Sequence, residues 1–156
     1  MTLENYKAYF RSQQVSLQWL PVLRAMAQEL AANVSAEGLR TLMFRAGERF
    51  AAEVEGRFQD VQSLTELEEG LNEFWSQLNW GWVALSEGTN CVEIDHQASP
   101  LAEAFGEEAA LWSVGLLEGF YETVFRVLGA GETMKVRAVD AEVMDMQARL
   151  RFGADV

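Results

Sequence analysis

Apolar side chains point in nearly every direction around the helix that the sequence predicts from about Glu107 to Leu128. They are Leu111, Trp112, Val114, Leu116, Leu117, Phe120, Tyr121, Val124, Phe125, Val127 and Leu128. A helix apolar on all sides has no face to offer water, so it lies at the centre of a core or between subunits. Gly115 and Gly119 stand one turn apart on it, which lets another backbone approach closely. A 17.5 kDa domain has limited room to enclose a whole helix. The expectation is therefore burial at a subunit interface that includes Trp112, Gly115, Gly119 and Phe120. Glu118 and Glu122, also one turn apart, read as an exposed or interfacial polar stripe. Two carboxylates so placed resemble a glycosidase pair, but such pairs occupy clefts, and so apolar a helix leaves little room for one.

The rest of the chain supplies neighbours of two kinds. Tyr6, Tyr9 and Phe10 fall at helical spacing on a short N-terminal arm or first helix. A second helix starts at Ser16 or, if Pro21 sets the start, at Leu20, and runs to about Val34. A third runs from about Glu37 to Glu55, with Leu39, Leu42, Met43, Ala46, Phe50 and Val54 on one stripe. A fourth begins at Ser63, with Glu66 three residues later as in a capping box. The period then changes to two. Trp80 to Ser86 and Cys91 to Gln97 read as a hairpin around Glu87–Asn90, and Met134 to Val139 and Met146 to Phe152 as a second. The expected fold is α+β: N-terminal helices, then two antiparallel β-hairpins in one sheet, separated by the long central helix. One domain spans 1–156, with an arm or helix (1–15), a helical part (16–79) and a hairpin–helix–hairpin part (80–156).

Charge narrows the partners. Residues 61–123 hold 12 of the 24 acidic side chains and no Lys or Arg, so the whole net charge of −12 arises there. That balance disfavours nucleic acid and anionic membrane surfaces, and leaves neutral ligands, cationic ligands and protein partners. The acidic stretch is a solvated face or a match for a basic partner. On the last two strands Lys135, Arg137, Arg149 and Arg151 lie on the polar faces, able to pair with Glu93 and Asp95 across a shared sheet.

The chain has one cysteine, Cys91, and one histidine, His96. Alternation puts His96 on the apolar face with Val92 and Ile94, and sends Cys91 and Asp95 to the other. His96 is therefore read as a core or edge histidine rather than a metal ligand or a base, and no metal or cofactor is expected. The five tryptophans read as core or interface residues, although indole faces also stack on sugar rings. No stretch has the form of a signal peptide or a membrane span, which makes a cytoplasmic protein the default.

Two stretches resemble one known family. Leu71-Asn-Glu-Phe-Trp-Ser-Gln-Leu-Asn-Trp-Gly-Trp-Val-Ala-Leu and Trp112-Ser-Val-Gly-Leu-Leu-Glu-Gly-Phe-Tyr are similar to segments of the D-subunit family of bacterial cellulose synthase, within a resemblance over roughly 63–152. It implies a non-catalytic accessory protein working with the other members of the cellulose synthase complex, without a cofactor, on the cytoplasmic side of the membrane. It implies dimers assembling into an octameric ring that aids export and crystalline ordering of β-1,4-glucan. Passages for the glucan would be lined by N-terminal segments, here Asn5, Tyr6, Lys7 and Tyr9. The element order also looks like the sensory domains named after vinyl reductase, which implies a small molecule, or a haem on His96, between sheet and helices.

Overall fold

The computed structural model describes residues 2–144 and 146–156. Seven α-helices and four strands are present among them: α1 Leu3–Ser12, α2 Leu20–Asn33, α3 Ala36–Ala52, α4 Leu64–Leu78, β1 Trp82–Gly88, β2 Cys91–Gln97, α5 Leu101–Phe105, α6 Ala110–Ser113, α7 Gly115–Val127, β3 Lys135–Met144 and β4 Gln147–Gly153. The four strands form one antiparallel sheet in the order β1-β2-β4-β3. The α+β fold with two hairpins in one sheet is therefore as the sequence implies.

Local chemistry places the ends. Ser35 and Ser63 cap α3 and α4 by accepting from the Gly38 and Glu66 N–H groups, and the Glu66 carboxylate takes the Gln62 N–H at 2.8 Å. Pro21 sits in the first turn of α2, which starts at Leu20. Asn79, in the left-handed region at φ 57, ends α4. At Gly81 φ is +76, and a Cβ there would meet the Gln97 carbonyl oxygen at 1.9 Å. Only glycine lets the chain turn from α4 into β1 against β2 at that point.

The long helix expected from Glu107 to Leu128 is divided. A 3-10 turn at Glu107–Ala109 leads into α6 and then α7. The bonds from Val114 N–H to Ala110 and from Glu118 N–H to Val114 carry the helix across the joint. The α5 helix precedes it and is too short to show a periodicity of its own. The core lies between the sheet and α3, α4 and α7, where Trp75, Tyr121, Phe120, Leu71, Leu117, Ile94 and Leu150 are fully buried.

The partner of the all-apolar helix is α3 of the same chain. Gly115 and Gly119 face the carbonyls of Arg40 and Phe44, and a Cβ on them would lie 2.4 and 2.0 Å from those oxygens. Gly47 of α3 meets the Leu116 carbonyl in the same way, at 2.0 Å. Three glycines thus let two backbones come into contact along their length. This corrects the expectation that Trp112, Gly115, Gly119 and Phe120 face another subunit. All four are buried within the chain, because α3 and the sheet enclose so apolar a helix even in a domain of this size.

Glu118 and Glu122 are the second correction. They are 1% and 4% exposed, not a solvent stripe. Each reaches the free edge of β3: Glu122 takes the Val136 N–H at 2.9 Å and Glu118 the Ala138 N–H at 2.8 Å. Arg40 of α3 clamps Glu118 with two bonds of 2.8 and 2.7 Å, and Arg126 holds Glu122 at 3.0 Å. Burying a carboxylate is costly unless its lone pairs are filled, and here cations and backbone donors fill them. The opposite edge has the same device. Asn72 of α4 gives to the Val83 carbonyl and takes the Val83 N–H, at 2.9 and 2.7 Å, and Glu68 takes the Leu85 N–H at 3.3 Å. Side chains therefore close part of both sheet edges to strand addition.

Candidate functional site

The candidate site is an aromatic cleft beside α1. Thr2 caps α1 by accepting from the Asn5 N–H. Not one residue of α1 is buried, so the helix is held by its far end. Arg11 pairs with Glu103 at 3.2 Å and Glu107 at 3.4 Å, the Gln14 amide gives to the Ala98 carbonyl, and Asn79 gives to the Gln13 carbonyl at 3.2 Å. These ties set α1 across the end of the sheet where β1 begins and β2 ends. Between them runs a groove of about 360 Å³ lined by Tyr6, Lys7, Tyr9, Phe10, Trp82, Gln97, Ala98 and Met146.

Four aromatic rings in this cleft remain open to solvent: Tyr9 is 70% exposed, Tyr6 61%, Trp82 53% and Phe10 39%. Rings left bare to water are informative, because burying each would gain roughly 1.5–3 kcal/mol. Among the described residues of the lining, Lys7 is the one charged side chain. An apolar floor with hydroxyls and amides at the rim suits a neutral ligand that has flat C–H faces and many hydroxyls.

The structure brings Tyr6, Lys7 and Tyr9 together at this cleft and leaves Asn5 outside its lining. It adds Phe10 and Trp82. The expectation of Trp82 as a core or interface residue misses this place, yet alternation along β1 carries the signal: Val83 faces the core, so Trp82 faces away from it.

The other chemical candidates are engaged elsewhere. His96 is fully buried. Its Nε2–H gives to the Trp80 carbonyl at 2.8 Å, and its Nδ1 takes the Tyr121 hydroxyl at 2.6 Å. The same hydroxyl accepts from the Trp75 indole N–H at 3.1 Å. Every polar atom of this buried group has a partner, so it acts as a structural lock. Burial holds the imidazole neutral, lowering its pKa to about 4 against the opposing pull of the Trp80 carbonyl, and pushes the Tyr121 phenol well above its ordinary range. Both ring nitrogens are taken, and a bound haem would have to break this lock. The space between sheet and helices is filled by Trp75, Phe120, Tyr121 and their neighbours. Among the described residues no group of three His, Cys, Asp or Glu side chains is placed to hold a metal. Glu118 and Glu122 lie outside the aromatic cleft, where the Arg40 guanidinium, pushed above its usual pKa chiefly by its bond to Glu118, neutralises one of them. Cys91, half-buried on β2, lies 3.8 Å from the Glu93 carboxylate.

The sequence model of the cellulose synthase D-subunit matches residues 5–152. The chain belongs to the cellulose synthase D-subunit family. No curated protein matches it. Membership assigns the chain a role associated with cellulose synthase, as a member of an accessory family. Among the described residues no helix is long and apolar enough to cross a membrane. The family match takes in both the aromatic cleft and the α3–α7 crossing.

Proposed function

We propose that this chain is a non-catalytic accessory component of the bacterial cellulose synthase complex, and that the cleft beside α1 holds β-1,4-glucan during export. The observation that carries this reading is the set of four solvent-open rings, Tyr6, Tyr9, Phe10 and Trp82, around one apolar groove. Glucan is uncharged, so a chain of net charge −12 does not repel it. Its pyranose rings offer C–H faces to aromatic rings, and its equatorial hydroxyls reach the Tyr6 and Tyr9 hydroxyls and the Gln97 amide. Lys7 hydrogen-bonds to glucan at the rim, while Asn5 extends the polar edge of α1 beyond the groove.

The same reading has the chain self-assemble, through dimers to an octameric ring on the cytoplasmic side of the membrane complex, so that several clefts line a common passage and deliver ordered chains. The contact surfaces lie on exposed residues, since Trp112, Gly115, Gly119 and Phe120 are used inside the fold.

The test is a Trp82→Ala/Tyr9→Ala chain, whose changed side chains are exposed and not needed for folding. Titration with cello-oligosaccharides, followed by isothermal calorimetry, is expected to show binding to the unaltered chain and at least tenfold weaker binding to the variant. In cells the variant is expected to give less, or less crystalline, cellulose. Equal affinity and equal cellulose would overturn the assignment of the cleft.

A further inference from the structure

A second groove adjoins the aromatic cleft at the connector between α1 and α2. It has a volume of about 370 Å³, and its lining includes Gln14, Ser16, Trp19, Trp80, Leu101 and Phe105. None of its described lining residues is charged. The two grooves share a wall. Ala98 lines the cleft, Gln14 lines the second groove, and the bond from the Gln14 amide to the Ala98 carbonyl divides them. Trp82 and Trp80 stand on either side of Gly81 and serve one groove each.

Two indoles shape the second groove. Trp80 is fixed: its ring stacks on Trp75 at 5.5 Å, and its carbonyl takes the His96 Nε2–H at 2.8 Å. Trp19 stands at the head of α2, where its N–H gives to the Ser16 carbonyl at 3.0 Å and its carbonyl takes the Leu23 N–H at 2.9 Å. Its backbone is held, yet its ring is 59% exposed. A neutral apolar groove with an open aromatic ring at its rim repeats the pattern of the cleft.

Gln14 supplies a polar group of a definite kind. The Ala98 carbonyl can only accept, so the Gln14 NH2 must face it and Oε1 is turned away. That oxygen is buried and has no donor among the described residues. A buried acceptor without a donor is costly. A ligand that brings a hydroxyl removes the cost, whereas an alkyl chain suits the apolar lining but brings no donor.

We propose that the second groove is a further subsite for β-1,4-glucan, continuing the cleft past the Gln14–Ala98 tie. Trp19 stacks on a pyranose ring there, and Gln14 Oε1 accepts a sugar hydroxyl. The proposal rests on the reading of the cleft as a glucan site. It adds a dependence on chain length: a short oligosaccharide fills the cleft alone, and a longer one also reaches Trp19.

The experiment is isothermal calorimetry on the full chain with cellotriose and cellohexaose. The unaltered chain is expected to bind cellohexaose more tightly than cellotriose. Trp19→Ala, a change at an exposed ring, is expected to weaken cellohexaose binding about fivefold or more and to leave cellotriose binding as it was. Trp19→Tyr, which keeps a ring, is expected to recover most of the loss. Trp82→Ala/Tyr9→Ala is expected to weaken both ligands. Cellohexaose affinity that is the same with and without Trp19 overturns the second subsite and leaves the cleft standing. Equal affinity of the unaltered chain for the two lengths also overturns it. Cellohexaose binding that ignores Trp19→Ala, with binding of dodecanol that depends on Trp19, overturns it in favour of an alkyl ligand. An unaltered chain that binds neither oligosaccharide overturns the reading of the cleft, and the subsite with it.

Discussion

Replacing Arg40 by methionine is expected to destabilise the fold by about 3–5 kcal/mol, the usual effect of stranding one partner of a buried ion pair. The magnitude follows from what the guanidinium leaves behind. Glu118 is 1% exposed. It takes two charge-assisted bonds from Arg40, at 2.8 and 2.7 Å, and one from the Ala138 N–H. Without Arg40 the carboxylate keeps a single donor. The Arg40–Asp140 pair adds little, because Asp140 is 59% exposed and screened by water. A domain of this size is stable by roughly 5–15 kcal/mol. At about 2–4 °C per kcal/mol, the unfolding midpoint should drop by about 10 °C. Circular dichroism during thermal and urea unfolding at pH 7 measures this directly. A second variant isolates the cause. Arg40→Met/Glu118→Gln keeps an oxygen for the Ala138 N–H but removes the charge, so it should recover a large part of the loss. An Arg40→Met chain within about 1 kcal/mol of the unaltered one would refute the reasoning, as would a double variant no more stable than the single one.

Gly119→Ala places a methyl 2.0 Å from the Phe44 carbonyl oxygen. It should cost at least about 3 kcal/mol, with a fall in melting midpoint that is the same at every protein concentration, because the contact is within the chain. Stability should also fall with acid through His96. Its folded pKa of about 4 lies below the ordinary 6.5. The unfolded chain therefore binds the extra proton, and about 3 kcal/mol is lost as pH drops from about 6.5 to about 4. A His96→Leu chain should be weaker at pH 7 yet show a flatter slope over that window. Asn72→Ala removes both bonds to Val83 and should cost about 1–2 kcal/mol, with faster hydrogen exchange at the Val83 amide. Slow exchange there would mean that Asn72 does not seal β1.

Local signals in the sequence are sufficient where one short segment decides the outcome. Ser63 with Glu66 marks the start of α4, Pro21 the start of α2, and alternation turns His96 inward. What escapes depends on residues far apart in the chain. Glu118 is buried because Arg40, 78 positions away, and the amide edge of β3 converge on it. No periodicity encodes that meeting. Gly115 and Gly119 announce a close backbone, but only the fold shows that the backbone is α3 and that Gly47 answers from the other side. The cleft is half legible. Tyr6 and Tyr9 share a helix face by their spacing, and the family resemblance points to that segment, whereas Trp82 joins it because it pairs with Gln97 at the end of β2, beside the Ala98 carbonyl that Gln14 holds.

The partly closed sheet edges bear on how large any assembly of this chain can grow. A bare strand accepts another strand by backbone bonds that are alike from copy to copy, and such addition has no natural end. Here Asn72 and Glu68 occupy one margin, and Glu118 and Glu122 the other. Copies that assemble as proposed would then meet through particular side chains, whose positions fix an angle between neighbours. A fixed angle sets a count. Partial closure of the margins thus favours an assembly of definite number over a fibre, in a member of a family associated with cellulose synthase.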